Sequence, residues 1–214
     1  DIAAAAYQLA VKRPRLLAGK TAIVTAGPTV EPIDSVRFIT IHSSGKQGYA
    51  LAAALAAHGA AVTLISGPVN LPPPTHVNRI SVQTAEQMLA ATHAALPADI
   101  AVCAAAVADW RVAGSRHAKL KKPDRGTAEP MQLSLCENPD ILASIAQSDQ
   151  RPELVIGFAA ETEDLQENAV AKRHSKQCDW IIANQVGGAA DPVFGSDINH
   201  IMLIGETAVE NWPR

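Results

Sequence analysis

Apolar residues along this chain fall into short runs that alternate with stretches of helical period. "KTAIVTAGPT" (20–29) is an apolar run ending in Gly-Pro, which predicts a strand followed by a loop. From Ser43 to His58 the period changes. Tyr49, Ala50, Ala53, Ala54 and Ala57 recur at three- and four-residue steps and Gly59 closes the segment, so a helix is predicted there. Strands are expected at 60–67 and 77–82, separated by the proline-rich "NLPPPTHV", and a helix over 84–96 that Pro97 ends. "DIAVCAAAVADW" (99–110) is an unbroken apolar run, the pattern of a strand buried on both faces.

The polar segment that follows, to about residue 130, has no apolar period. "MQLSLCE" predicts a strand, and "NPDILASIAQ" a helix with Asn138 as N-cap and Pro139 in the first turn. "ELVIGFAAE" is another buried strand, 163–177 a helix, and "CDWIIANQV" a strand. "INHIMLIGE" is read as the final strand, part of an antiparallel hairpin. Strands alternating with helices predict an α/β chain: a three-layer, Rossmann-like, mostly parallel sheet with helices on both faces. Ligands on such a sheet bind at the carboxyl ends of the strands, so the loops at 27–45, 105–122, 138–141 and 158–162 share an address.

Composition narrows the class. A chain of 214 residues suits one domain. Hydrophobic content is 48% but aromatics only 4%, and the alanine that makes the difference suits helices packed closely on a sheet. The net charge of −3 comes with no basic stripe, which argues against a nucleic-acid partner. No run approaches the roughly 18 apolar residues of a membrane helix. Cys103, Cys136 and Cys178 form neither a CxxC pair nor a metal-ligand spacing, and read as reduced, buried thiols of a cytoplasmic protein. The opening "DIAAAAYQLAVKRP" is a short helical pattern without a basic leader, and reads as the tail of something upstream.

Candidate chemistry gathers at the shared address. Gly45-Lys46 suggests a phosphate-binding loop, but Thr40 stands where its first glycine belongs and Gln47 where Ser or Thr belongs. Ser43, Ser44 and Gly45 at a helix start either receive an anion or simply cap the helix. Lys119, Lys121 and Lys122 are either a solvated run or a basic cover for a polyphosphate. Lys172 and Lys176 share one helix face. Asp109 either reads a ribose hydroxyl or caps structure. The seven histidines show no metal-binding pairing, so no protein metal site is expected, and a metal would arrive with a polyphosphate.

Several strings in order add a resemblance: "TAGPTVEPIDSVRFIT", "HSSGKQG", "AAVADW", "KLKK", "NPDI", "GFAAET" and "KRHSK". Over about residues 19 to 205 the chain resembles the phosphopantothenoylcysteine synthetase domain of the bacterial bifunctional coenzyme A enzyme. The resemblance implies a CTP-dependent ligase domain over 19–214. Residues 1–18 would then be a linker from an upstream flavin-dependent decarboxylase domain, with no flavin in this part. It implies that 4′-phosphopantothenate is activated by CTP to an acyl-cytidylate, which L-cysteine converts to the amide, with Mg²⁺ and as a homodimer. On this resemblance Asp109 holds the ribose with Ala105 nearby, and Lys119 neutralises phosphate. Asn138, Pro139, Asp140 and Ile141 line the nucleotide pocket, Phe158 packs on the base, and Lys172 and Lys176 contact the nucleotide. Ser43, Ser44 and Gly45 face the acyl phosphate, and Arg37 belongs to the second step.

One position departs. The family places asparagine before His-Ser-Ser-Gly, where this chain has Ile41. An amide can donate to a developing oxyanion and isoleucine cannot; losing one such donor costs about 3–4 kcal/mol, or roughly 10²–10³ in rate. The expectation is a ligase impaired in cysteine addition. The alternative is a nucleotide-binding and dimerisation module with little turnover. A dehydrogenase reading is weaker, because the glycine fingerprint is missing and neither Tyr7 nor Tyr49 has a lysine four residues on.

Overall fold

The first apolar run forms β1 (Thr21–Ala26), and its side chains alternate between two layers. Ala22, Val24 and Ala26 pack to one side and Ile23 to the other, each at most 2% exposed. Burial on both faces is what an unbroken apolar strand requires. The computed structural model describes residues 15–114, 118–120, 132–186 and 201–212.

In chain order β1 is followed by β2 (Val30–Pro32), β3 (Phe38–Thr40), α1 (Lys46–Ala57), β4 (Ala61–Ser66), β5 (Val77–Ser81), α2 (Ala85–Ala94) and β6 (Ile100–Cys103). Then come β7 (Trp110–Val112), β8 (Leu135–Glu137), α3 (Ile141–Ala146), β9 (Leu154–Glu161), α4 (Leu165–Lys176), β10 (Trp180–Gln185), β11 (Ile201–Ile204) and β12 (Val209–Trp212). The main sheet has eight strands in the order β12-β11-β10-β9-β6-β1-β4-β5. Pairing is parallel from β5 to β10 and antiparallel for β11 and β12. The chain runs outward from β1 through β4 to β5, then returns to the other side of β1 at β6. That reversal opens a crevice at the carboxyl ends of β1 and β6, where doubly wound sheets hold ligands.

Helices cover both faces, as the alternation of elements predicts. Tyr49 and Ala52 of α1 pack with Val24, Val62 and Leu64 on one face. Met88 of α2, Ile145 of α3 and Ala169 of α4 pack with Ile23, Ile65, Val155 and Ile181 on the other. Each fully buried Leu or Ile contributes about 1.5–3 kcal/mol. α1 lies so close to β1 that a Cβ added at Gly48 would stand 2.5 Å from the Ala26 Cβ.

Four local expectations are corrected. The strand expected over 99–110 stops at Cys103. Beyond it the amides turn to the loop after β1: Ala104 to the Thr25 carbonyl (3.2 Å), Ala106 to the Gly27 carbonyl (2.9 Å) and Ala108 to the Thr29 hydroxyl (3.0 Å). The helix expected from Ser43 begins at Lys46, because Gly45 takes a left-handed φ of 74° that a helix cannot continue through. The short strands β2 and β7 were not expected, and they form in the hairpin β2–β3 and the hairpin β7–β8. The antiparallel strand at 201–204 is not the last, since β12 pairs along it.

Candidate functional site

The floor of the crevice is the join between the β1 and β6 loops. Pro28 bridges to Ala106 in parallel, and the Thr29 amide donates to the Ala106 carbonyl at 3.0 Å. Ala105 lies on this floor, its amide 3.3 Å from the Thr25 hydroxyl. The Thr40 hydroxyl donates to the Thr29 carbonyl at 2.7 Å, so β3 ends against the floor and Ile41 follows at its rim, 41% exposed. Gly45 packs beside Gly27: a Cβ there would come 3.5 Å from the Gly27 Cα and 2.9 Å from Val69 Cγ1. Gly45 is the N-cap of α1 and no side chain caps it, so Ser43 and Ser44 are not the cap. Their hydroxyls instead accept long bonds from the Gly45 amide (3.3 Å) and the Lys46 amide (3.4 Å). The turn thus brings short polar side chains and the positive end of a helix dipole to the mouth of the crevice.

The opposite wall is built by Asn138 and Asp140. Asn138 was expected to cap α3. Its amide side chain instead donates to the Ala108 carbonyl at 2.8 Å, while its backbone N–H donates to the Asp109 carbonyl at 2.8 Å. Arg111 completes the brace, donating to Asn138 Oδ1 at 3.3 Å and to the Glu137 carbonyl, with Glu86 as an ion-pair partner at 3.3 Å. Asn138 therefore fixes the turn carrying Asp109, which is exposed and sits just before β7 rather than at a strand end. Asp140 is the cap of α3: its Oδ1 accepts from the Ala143 amide at 2.9 Å and its Oδ2 pairs with Lys176 Nζ. Pro139 is half-buried between these two braces, and the Ile141 side chain is in the core.

Lys172 and Lys176 both lie half-buried along α4. Phe158 packs with Ile156 in the cluster on the α1 side of the sheet, whereas α3 and α4 lie on the other side. Phe158 and the Asp140–Lys176 pair thus lie on opposite faces of the sheet. Beneath them, burial pushes the Cys103 thiol up to about 12, and Cys178 and Asp140 act in the same direction. The residue as a whole keeps some exposure; its sulfur is the desolvated part.

Sequence reasoning missed Asp34. Its side chain has no exposed surface. Oδ1 accepts from the amides of Val36 and Arg37, both at 2.8 Å. Oδ2 accepts from Arg37 Nε (3.0 Å), Arg37 Nη2 (2.7 Å) and the Leu120 amide (3.0 Å). The Leu120 amide above all, then those of Val36 and Arg37 and the guanidinium, hold the carboxyl well below the usual carboxylate range, against its burial. Arg37 Nη2 also donates to the Leu120 carbonyl at 2.6 Å. The exposed Lys119 is the preceding residue; Lys121 and Lys122 lie outside the described residues. An acid three residues before an arginine was the available signal, but nothing local points to position 120.

Residues 17–214 match the family described as the DNA/pantothenate metabolism flavoprotein C-terminal domain. The chain belongs to this family. The coenzyme A biosynthesis bifunctional protein CoaBC of Vibrio vulnificus is 47% identical over 203 residues, which are 94% of this chain and 48% of that protein. Its Escherichia coli counterpart is 46% identical over 183 residues, 85% of this chain and 44% of that protein. The chain therefore spans about half the length of these curated relatives. A crystal structure of the C-terminal domain of a CoaBC protein superposes with a TM-score of 0.76 at 35% identity, covering 93% of this chain and 88% of that one. That likeness agrees with the mostly parallel α/β sheet.

The crevice has a helix start at its mouth, a feature suited to an anion. Among the described residues no group of three or more His, Cys, Asp or Glu side chains could hold a metal ion. No helix among them is long and apolar enough to cross a membrane.

Proposed function

We propose that the chain is a phosphopantothenate–cysteine ligase of coenzyme A biosynthesis that uses CTP. The observation that supports this is membership of this family, together with a Ser43–Gly45 turn packed beside Gly27 after β1 and an Asn138–Asp140 segment tied to the loop after β6. A carboxylate oxygen of 4′-phosphopantothenate attacks the α-phosphorus of CTP, the bond to the β-phosphate oxygen breaks, and pyrophosphate leaves. The amine of L-cysteine then attacks the acyl carbon of the acyl-cytidylate. CMP departs, the amine loses a proton, and the amide remains. Both steps gather negative charge, so fixed donors and cations are the chemistry needed.

Asp109 suits the ribose hydroxyls, beside Ala105 on the floor. Lys119 is exposed and free to approach the phosphates. Asn138, Pro139, Asp140 and Ile141 present backbone to the base, and Phe158 offers it an apolar face. Lys172 and Lys176 meet the phosphate end, with Lys176 exchanging Asp140 for the nucleotide. Mg²⁺ would enter with the triphosphate and would supply it with positive charge, since magnesium is commonly held by one or two carboxylates and substrate phosphates.

Arg37 and Ile41 belong to the second step. Arg37 is gripped by Asp34 and Leu120, which fixes its guanidinium. Ile41 puts hydrocarbon where an amide would donate, and on this reading the acyl-cytidylate accumulates. Val36, Phe38, Trp110 and Leu135 are 46–59% exposed on neighbouring hairpins. An apolar surface of this kind favours a homodimer. Residues 1–18 are proposed as the linker from a flavin-dependent decarboxylase domain, 19–214 as the ligase domain, and the cytoplasm as its compartment.

Mass spectrometry of a reaction with Mg²⁺-CTP, phosphopantothenate and cysteine tests the proposal. The expected result is phosphopantothenoyl-cytidylate with little cysteine adduct. Abundant adduct would keep the ligase and overturn the role of Ile41. Untouched CTP would favour a nucleotide-binding and dimerisation module.

A further inference from the structure

We infer that Asp34 is a positioning residue that sets the place of Lys119 by gripping the backbone of Leu120. The inference rests on the ligase reading, which gives Lys119 its phosphate.

The geometry separates two tasks within one carboxylate. Oδ1 takes the Val36 and Arg37 amides and so closes the turn between β2 and β3. A structural acid could stop there. Oδ2 instead takes the Leu120 amide at 3.0 Å, from 86 residues away in the chain, together with the Arg37 guanidinium. The same guanidinium donates to the Leu120 carbonyl at 2.6 Å. Both backbone polar groups of Leu120 are therefore held by one ion pair, and that pair is itself seated on a buried carboxylate. The gripped N–H and C=O belong to the two peptides that flank the Leu120 Cα, so both backbone dihedrals of Leu120 are restrained, and the peptide joining Lys119 to Leu120 supplies the gripped N–H. Lys119 is exposed, so its backbone is the part the fold can fix.

Asp34→Asn tests this with little change in shape. Asparagine keeps one acceptor oxygen but turns an NH₂ toward donors, so whichever way it faces it opposes either the turn or the Leu120 amide. Two readouts are used on the chain as it stands: amide hydrogen exchange at Leu120, and CTP-dependent pyrophosphate release with phosphopantothenate. In the wild type, exchange at Leu120 is slow; in D34N it speeds up, and pyrophosphate release falls about 10²-fold, as misplacement of a charged group predicts. In a Lys119→Ala background the same change lowers release by no more than about twofold, because the two substitutions remove one interaction. Should D34N fail to fold, Leu120→Pro, which removes the amide hydrogen from the far side of the grip, takes its place in the cycle.

Unchanged exchange at Leu120 would overturn the grip whatever the activity. Faster exchange with losses that multiply between the two sites would overturn the link to Lys119 while the ligase reading stands. A wild type that releases no pyrophosphate from CTP would remove the ligase reading, and with it the role given to Asp34.

Discussion

Asp99 borders the amino end of the main sheet, Asp34 sits in the turn of the β2–β3 hairpin that follows the carboxyl end of β1, and both are carboxylates crowded with donors. At the amino end, Asp99 accepts from Lys20 Nζ (2.7 Å) and from the amide (2.7 Å) and hydroxyl (2.9 Å) of Thr21. Asp179 repeats the arrangement, accepting from the Val155 amide at 2.7 Å and from Arg151 at 2.9 Å. Each acid precedes its own strand by one residue and bonds the start of the neighbouring strand. These contacts join strands that the sheet already pairs. Asp34 joins the β2–β3 turn to Leu120, which no strand pairing among the described residues brings together. The same chemistry therefore reinforces register at one end and creates a geometry at the other. Substitutions at the carboxyl end should change rate, and those at the amino end should change stability.

The largest expected effect is at the rim of the crevice. Ile41→Asn restores an amide donor, and cysteine-dependent release of CMP should rise about 10²–10³-fold. Ile41 is 41% exposed, so the melting temperature should hardly move, as an exposed substitution changes stability by about 0.5 kcal/mol or less. Rapid-quench kinetics and a thermal melt on one preparation decide the matter. A gain in rate accompanied by a large shift in melting would blur the division between the two ends; no gain would remove Ile41 as the cause of the stall.

Gly48 lies between the two regimes, where α1 is seated on β1. In an exposed helix Gly→Ala gains about 1 kcal/mol. Here the new methyl would stand 2.5 Å from the Ala26 Cβ and 3.2 Å from the Thr25 carbonyl oxygen, inside van der Waals distance. Gly48→Ala should therefore be net destabilising, by about 1–2 kcal/mol in urea titration, as overpacking costs more than propensity returns. It should also weaken CTP binding, because α1 carries the Ser43–Gly45 turn. Lost affinity without lost stability would show that the turn moves independently of the helix seat.

The parallel sheet was readable because apolar strands and helical periods differ in plain sequence. The antiparallel edge was readable in part, since β11 was expected and β12 was not. The site was readable in its residue types and less so in its contacts. Asn138 looks like a helix cap because its side chain commonly takes that role, yet Ala108 and Arg111 claim it and Asp140 caps α3. The run at 99–110 looks like one strand because alanine and valine carry no mark of where a chain leaves a sheet. The break at Cys103 is set by carbonyls and hydroxyls at Thr25, Gly27 and Thr29, about which local period is silent. Asp34 escaped for the same reason: its decisive partner is a backbone group, and every residue has one.

The smallest effect belongs to the amino end, where its pH dependence is diagnostic. The Lys20 ammonium, then the Thr21 amide and hydroxyl, hold the Asp99 carboxyl at about 2, below its ordinary 3.8. A carboxyl lowered on folding stabilises the fold above its unfolded value, and that contribution is lost as pH falls through the folded value. The wild type should therefore lose this increment as pH falls from 3.8 towards about 2. Lys20 is raised, chiefly by Asp99, so its share is lost only as pH climbs through that raised value, above 10.5. Between these limits the pair contributes a constant amount. Asp99→Asn should lower stability near neutrality, flatten the acid limb of a plot of melting temperature against pH, and leave pyrophosphate release unchanged at temperatures well below the melt. Partial exposure of the pair keeps the effect modest. If the acid limb kept its slope in D99N, the loss would belong to other carboxylates, with Asp34 first among them. Acid would then release the Leu120 grip in the same range, and the two ends of the sheet would not titrate apart.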